Sequence, residues 1–137
     1  MTKEKSILGI DYGETNIGLA FGRGGEVYPI KIISGKNSHA AISSIGRVII
    51  EHDIDIIVVG LPLTIEDKET PESLKVRRFV NLLKVSIKKP VIFASEYSTS
   101  KDATKVMLSM GVAQKRRRKK DHYSAALILK KYYQEQE

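Results

Sequence analysis

Three acids and one run of cations stand where chemistry could be done. Asp11 closes a short apolar stretch, Ile7 to Asp11. Glu96 comes just after a second one, Val91 to Ala94, and Asp121 opens the last amphipathic segment. Carboxylates brought together repel one another unless a cation neutralises them. Ligands that are all oxygen suit Mg²⁺ or Mn²⁺. One such ion, or two about 4 Å apart, would activate a water and stabilise the leaving oxygen in phosphodiester hydrolysis. Directly before Asp121 stand Lys115, Arg116, Arg117, Arg118, Lys119 and Lys120. Taking those six charges from the net charge of +7 leaves +1 on all other residues. A phosphate backbone is the natural partner of such a segment, because each neutralised phosphate releases condensed counterions.

Each residue also has a plainer reading. An acid ending a strand before a glycine serves as a turn former. Glu96 could be a solvated strand-end acid, and Asp is a favoured helix N-cap. Six consecutive like charges could form a solvated loop, but they repel one another and call for an anionic partner. His122 could position a water, or sit on the first turn of a helix surface. Tyr12 and Tyr97 could stack on bases or pack at strand ends. Arg77 and Arg78 fall on a helix face, where Arg77 could reach phosphate. Neither a Ser/His/Asp arrangement nor a histidine-rich zinc pattern competes with the carboxylates.

The elements that must position these residues follow from apolar rhythm. Ile7 to Asp11, Thr15 to Gly22 and Val27 to Ile33 read as strands, joined by tight turns at Asp11-Tyr12-Gly13-Glu14 and Arg23-Gly24-Gly25-Glu26. Asn37 or Ser38 caps a helix carrying Ala41, Ile42, Ile45, Val48 and Ile49. Ile54 to Gly60 lacks alternation, as expected of a strand buried on both faces. Glu72 to Ile87 returns to helical spacing through Leu74, Val76, Phe79, Val80, Leu82 and Leu83. Val91 to Ala94 is a second buried strand. A helix over 98–110, stopped by Gly111, and a last helix over 121–133 complete the order β-β-β-α-β-α-β-α-α. The predicted class is α/β: a five-stranded mixed sheet with three antiparallel strands, two parallel ones and helices on both faces. Sites in such sheets gather at the carboxyl ends of parallel strands.

The chain has 137 residues and 42% hydrophobic content, enough for one core and one domain, 1–137. It has no cysteine, which excludes disulfides and thiolate metal sites. No apolar run reaches the roughly 18 residues of a membrane span, and residues 1–6 are polar. These features predict a cytoplasmic protein without a membrane partner.

Four blocks in order resemble the YqgF family, also called RuvX-like, of the ribonuclease H-like superfamily. They are Gly9-Ile10-Asp11-Tyr12-Gly13 continuing to Ile17-Gly18-Leu19-Ala20; Val59-Gly60-Leu61-Pro62-Leu63; Glu96 with Ser98-Thr99; and Lys119-Lys120-Asp121 with Ser124-Ala125 and Ile128-Leu129. The resemblance spans Ile7 to Tyr132. It implies a ribonuclease H-like fold and a metal-dependent endonuclease in which Asp11, Glu96 and Asp121 hold Mg²⁺ or Mn²⁺. Family members are linked to maturation of the 5′ end of precursor 16S rRNA, and some to Holliday-junction resolution. The Gly-Leu-Pro-Leu segment would floor the site. Two positions depart from the family pattern: Ser95-Glu96-Tyr97 replaces an acid-Glu-Arg triplet, and Asn16 stands where many members are basic.

Two other functions fit parts of the sequence. A non-catalytic nucleic-acid binder would use the basic run and not the acids. A phosphotransferase would use Gly9 to Gly13 as a phosphate loop, but such enzymes need two domains around a cleft, and no second phosphate loop or Walker pattern is present. Resolving a junction takes two active sites, hence a homodimer.

Overall fold

A computed structural model describes residues 4–95 and 121–136, and of Asp121 and His122 the backbone alone. The predicted helix over 98–110, Glu96, Tyr97 and the basic run 115–120 lie outside the described residues. The elements are β1 (Ser6–Asp11), β2 (Asn16–Arg23), β3 (Glu26–Ser34), α1 (Ser38–Glu51), β4 (Ile56–Leu61), α2 (Pro71–Ser86), β5 (Val91–Ser95) and α3 (Asp121–Glu135). They form one five-stranded sheet in the order β3-β2-β1-β4-β5. β1, β2 and β3 are antiparallel, while β4 runs parallel to β1 and β5 parallel to β4. This is the predicted mixed sheet.

Local chemistry explains the boundaries. Gly24 and Gly25 turn β2 into β3 with φ of 60° and 87°, the left-handed region that a two-residue hairpin of this hand requires. Pro29 lies in β3, an edge strand, next to a register shift at Leu19/Ala20, where its missing N–H breaks no ladder. Asn37 caps α1 by accepting from the Ala40 N–H at 3.0 Å. Thr70 caps α2 in a reciprocal box with Ser73, and Pro71 supplies a pre-set first turn.

The sheet is covered on both faces. Leu8, Ile10, Ile45, Val59, Phe79 and Leu83 belong to the cluster under α1 and α2. Ile7, Ala20, Val58, Ala125, Ile128 and Leu129 belong to the cluster under α3. One expectation needs correction. The apolar run at 54–60 is not all strand: Asp53 takes a positive φ of 51°, the Ile54 N–H bonds back to Ile49 O at 3.0 Å, and β4 begins at Ile56. Ile54 is nevertheless buried, as the plug below α1. In α2, Leu74 and Leu82 share the helical rhythm but are 49% and 47% exposed, because the sheet covers only the stripe through Val76, Phe79, Val80 and Leu83.

Candidate functional site

The half-buried Asp11 ends β1, whose Ile10 pairs with Val59 of β4. The ends of β4 and β5 are level, with Leu61 paired to Ser95. Three parallel strands therefore finish along one edge. Glu96, the next residue after β5, lies outside the described residues. Strand alternation puts Asp11 on the same face as Ile7 and Gly9, the face that α3 covers.

The direction of α3 follows from its closest approaches. A Cβ on Gly9 would lie 2.6 Å from Leu129 Cγ and 3.0 Å from Ala125 O. A Cβ on Gly22, the partner of Ile7, would lie 3.0 Å from the Tyr133 ring. From Ala125 to Tyr133 the helix thus moves from the level of Gly9 toward the start of β1, so it runs against β1. Its first residue stands one turn before Ala125, about 6 Å along the axis. Asp11 lies about 6.6 Å beyond Gly9 along the strand, in the same direction. The backbone of Asp121 is accordingly carried to the edge where β1 ends on Asp11. The amino end of a helix also carries partial positive charge, which favours anionic groups there. Lys131 Nζ, 3.4 Å from Ser95 O, ties α3 to the last residue of β5.

The loop after β4 is fastened at the same edge. Pro62 O accepts from the Thr70 hydroxyl at 2.6 Å, and Leu63 N–H bonds Leu61 O. Arg77 holds Glu69 through two hydrogen bonds of 2.7 and 2.9 Å and lies 5.1 Å from the centroid of the Phe93 ring. Those bonds, with one from Ser73, hold the Glu69 carboxyl below its ordinary value. Arg77 is thereby committed to pinning this loop. Tyr12 stacks on Phe79, ring centroids 4.6 Å apart.

Beside Tyr12 opens a groove of about 250 Å³ lined by Glu14, Ser38, Lys75, Arg78 and Leu82. Lys75 is ion-paired with Glu14. The hydrogen bond and charge of Lys75 lower the Glu14 pKa, with a smaller contribution from the Arg78 charge. Sequence reading missed Glu14 and Lys75. The signal within reach was the spacing of Lys75 and Arg78, which puts two cations on one helix face.

Among the described residues no three of His, Asp or Glu come together as metal ligands. Of the expected trio, the side chain of Asp11 alone is described. The donor chemistry nevertheless suits a hard divalent cation: carboxylate oxygen at a strand end, with the backbone of a second Asp brought to the same edge. Among the described residues no helix is long and apolar enough to cross a membrane.

A family model described as "RuvX: Holliday junction resolvase" matches residues 5–135. A protein of Chloroflexus aggregans named "Putative pre-16S rRNA nuclease" is 33% identical over 111 residues, covering 80% of this chain and 78% of the relative. A relative of the same name from Bordetella pertussis is 34% identical, covering 76% of this chain and 80% of its own. Among solved structures, Thermus thermophilus RuvC in complex with a Holliday junction substrate superposes with a TM-score of 0.61 at 14% identity, covering 95% of each chain. The fowlpox virus resolvase bound to Holliday junction DNA gives 0.58 at 15% identity, covering 96% of this chain and 97% of the other. At such identities the likeness is one of fold.

Proposed function

The chain belongs to the RuvX family and has a ribonuclease H-like fold, and from that premise we propose that it is a metal-dependent nuclease cutting phosphodiester bonds in structured nucleic acid. Its substrate is precursor 16S rRNA, the molecule its relatives are named for, cut in its 5′ region. The observation that carries the reading is the antiparallel run of α3 over β1, which takes the backbone of Asp121 to the edge where β1 ends on Asp11.

Asp11, Glu96 and Asp121 would hold Mg²⁺ or Mn²⁺, one ion or two. The bound metal would supply an activated water and neutralise charge at the scissile phosphate. The chain's own residues do the rest. Lys115 to Lys120 grip the backbone just before Asp121 and so deliver phosphate to the edge. Tyr12 and Tyr97 flank the strand-end acids and stack on unpaired bases, and His122 follows Asp121 on the first turn of α3. The family's description favours a second substrate, the four-way DNA junction; cutting it symmetrically takes two sites and hence a homodimer.

The test is cleavage of precursor rRNA, linear duplex and four-way junction by the wild type and by Asp11→Asn, with Mn²⁺ and with chelator. Cleavage by wild type with Mn²⁺ is expected, and a loss of at least about a hundredfold in the variant with the circular dichroism spectrum intact. Equal cleavage by Asp11→Asn, or cleavage that survives chelation, refutes the reading. Binding of every substrate with cleavage of none would leave a non-catalytic binder.

A further inference from the structure

We propose that the groove between the β1–β2 loop and α2 is a second phosphate-binding site, in which Lys75 and Arg78 hold the nucleic-acid strand on the far side of the cut and Glu14 occupies Lys75 until the strand arrives. The inference rests on the nuclease reading and adds to it where one arm of the substrate lies.

Placement comes first. Asp11 and Tyr12 are adjacent, so their Cα atoms are about 3.8 Å apart. Alternation sends Asp11 toward the α3 face, while Tyr12 packs on Phe79 under α2. A strand crossing the carboxyl edge over Asp11 therefore descends directly into the groove lined by Tyr12, Glu14, Lys75 and Arg78. The backbone of Asp121 belongs to the α3 side, so the groove offers cations on the opposite side of the sheet edge.

Charge comes second. Lys75 and Arg78 are one turn apart on α2 and both line the groove. Among the described residues no carboxylate forms an ion pair with Arg78. Lys75 is paired with Glu14 across 61 positions of sequence, in an exposed contact. A carboxylate there occupies the ammonium donors that a phosphate oxygen would use. An exposed pair of this kind is weak and exchangeable, so a phosphodiester held by two cations at once displaces it. Glu14 keeps the groove from gripping anions without discrimination, and the loop that carries it begins at Asp11, so occupancy of the groove and order at the metal edge are linked.

The experiment measures binding in chelator, with no cleavage, by fluorescence anisotropy of a labelled RNA hairpin and a labelled four-way DNA junction over a salt series. Lys75→Gln/Arg78→Gln should lower the slope of log K against log salt by about two. Lys88→Gln/Lys89→Gln, which removes the same charge just before β5 at the other end of the sheet, should leave the slope unchanged. Glu14→Gln should tighten binding about two- to fivefold. If Lys75 and Glu14 were only a surface tie, Glu14→Gln would leave binding unchanged or loosen it, and the two lysine-containing double variants would have equal slopes; either result overturns the proposal. If these tests fail while the wild type still cleaves with Mn²⁺, the groove is wrong and the nuclease reading stands. If the wild type neither binds these nucleic acids in chelator nor cleaves them with Mn²⁺, both fall.

Discussion

Replacing Gly9 by alanine tests the seat on which α3 rests. The new Cβ would come 2.6 Å from Leu129 Cγ and 3.0 Å from Ala125 O. Carbon atoms in good contact sit about 3.5–4.0 Å apart, so the helix must yield by about 1 Å. Leu129 is wholly buried and cannot swing into solvent, and the second obstacle is backbone. Overpacking of this kind costs about 1–3 kcal/mol. Losing glycine's freedom in the unfolded chain returns about 0.4–1 kcal/mol. The net expectation is destabilisation by about 1–2 kcal/mol, read as a lower urea midpoint at unchanged m-value. Gly46→Ala is the control: nothing lies within 4 Å of its Cβ, and in mid-helix it should stabilise by about 0.5–1 kcal/mol. A displaced α3 also displaces Asp121, and a misplacement of about 1 Å can cost on the order of a hundredfold in rate. Gly9→Ala should therefore lose cleavage well below its melting temperature. Leu129→Ala alone should cost about 2–5 kcal/mol, and measurably less in the Gly9→Ala background, where it relieves the clash. A Gly9→Ala protein as stable as wild type would refute the inferred seat of α3.

Leu83→Ala should cost about 2–5 kcal/mol, whereas Leu82→Ala, on the exposed side of the same helix, should cost less than about 1 kcal/mol; denaturant unfolding of the pair decides. Ser73→Ala should cost about 1–2 kcal/mol, because its buried hydroxyl accepts from the Thr70 N–H at 2.8 Å and donates within the cap. A change below a few tenths would show that the box is dispensable. Glu69 should titrate below 4.5 by carbonyl NMR and move upward in Arg77→Met. A depressed carboxylate stabilises the fold above its unfolded value and loses that contribution as pH falls through the folded one. The Arg77→Met protein should thus lack part of the wild type's acid-induced loss of stability, and an unmoved Glu69 midpoint would show that Arg77 does not hold it.

What could be read from sequence was what local chemistry decides. Gly24-Gly25 and Asn37 each carry their conformation in their own residue type. Ile54 was misleading because hydrophobicity records burial, not backbone: it is core, but it enters from a turn at Asp53. Leu74 and Leu82 show the converse: they keep the helical rhythm yet stay half exposed, since that rhythm marks a stripe wider than the sheet covers. The Glu14–Lys75 pair was out of reach, because the two meet only once α2 crosses back over the loop after β1.

The direction of α3 was the least visible determinant of the site, though its cause is written in residue size. Among the buried residues of the helix those nearest its start are small, Ser124, Ala125 and Ala126, and those further on are larger, Leu127, Ile128 and Leu129, with Tyr132 and Tyr133 beyond them. Small residues let backbone approach backbone, and Ala125 O would come within 3.0 Å of a Cβ on Gly9. Large ones need room, which Gly22 of β2 gives to the Tyr133 ring near the hairpin turn. A reversed helix would press its tyrosines against Gly9 and leave its alanines over a gap. The taper therefore selects the orientation that brings the helix closest to the sheet at the end beginning with Asp121. Glycine at position 9, two residues before Asp11, reads in sequence as part of a phosphate-loop pattern. In the fold its missing side chain is the space that lets a second aspartate's backbone approach the first.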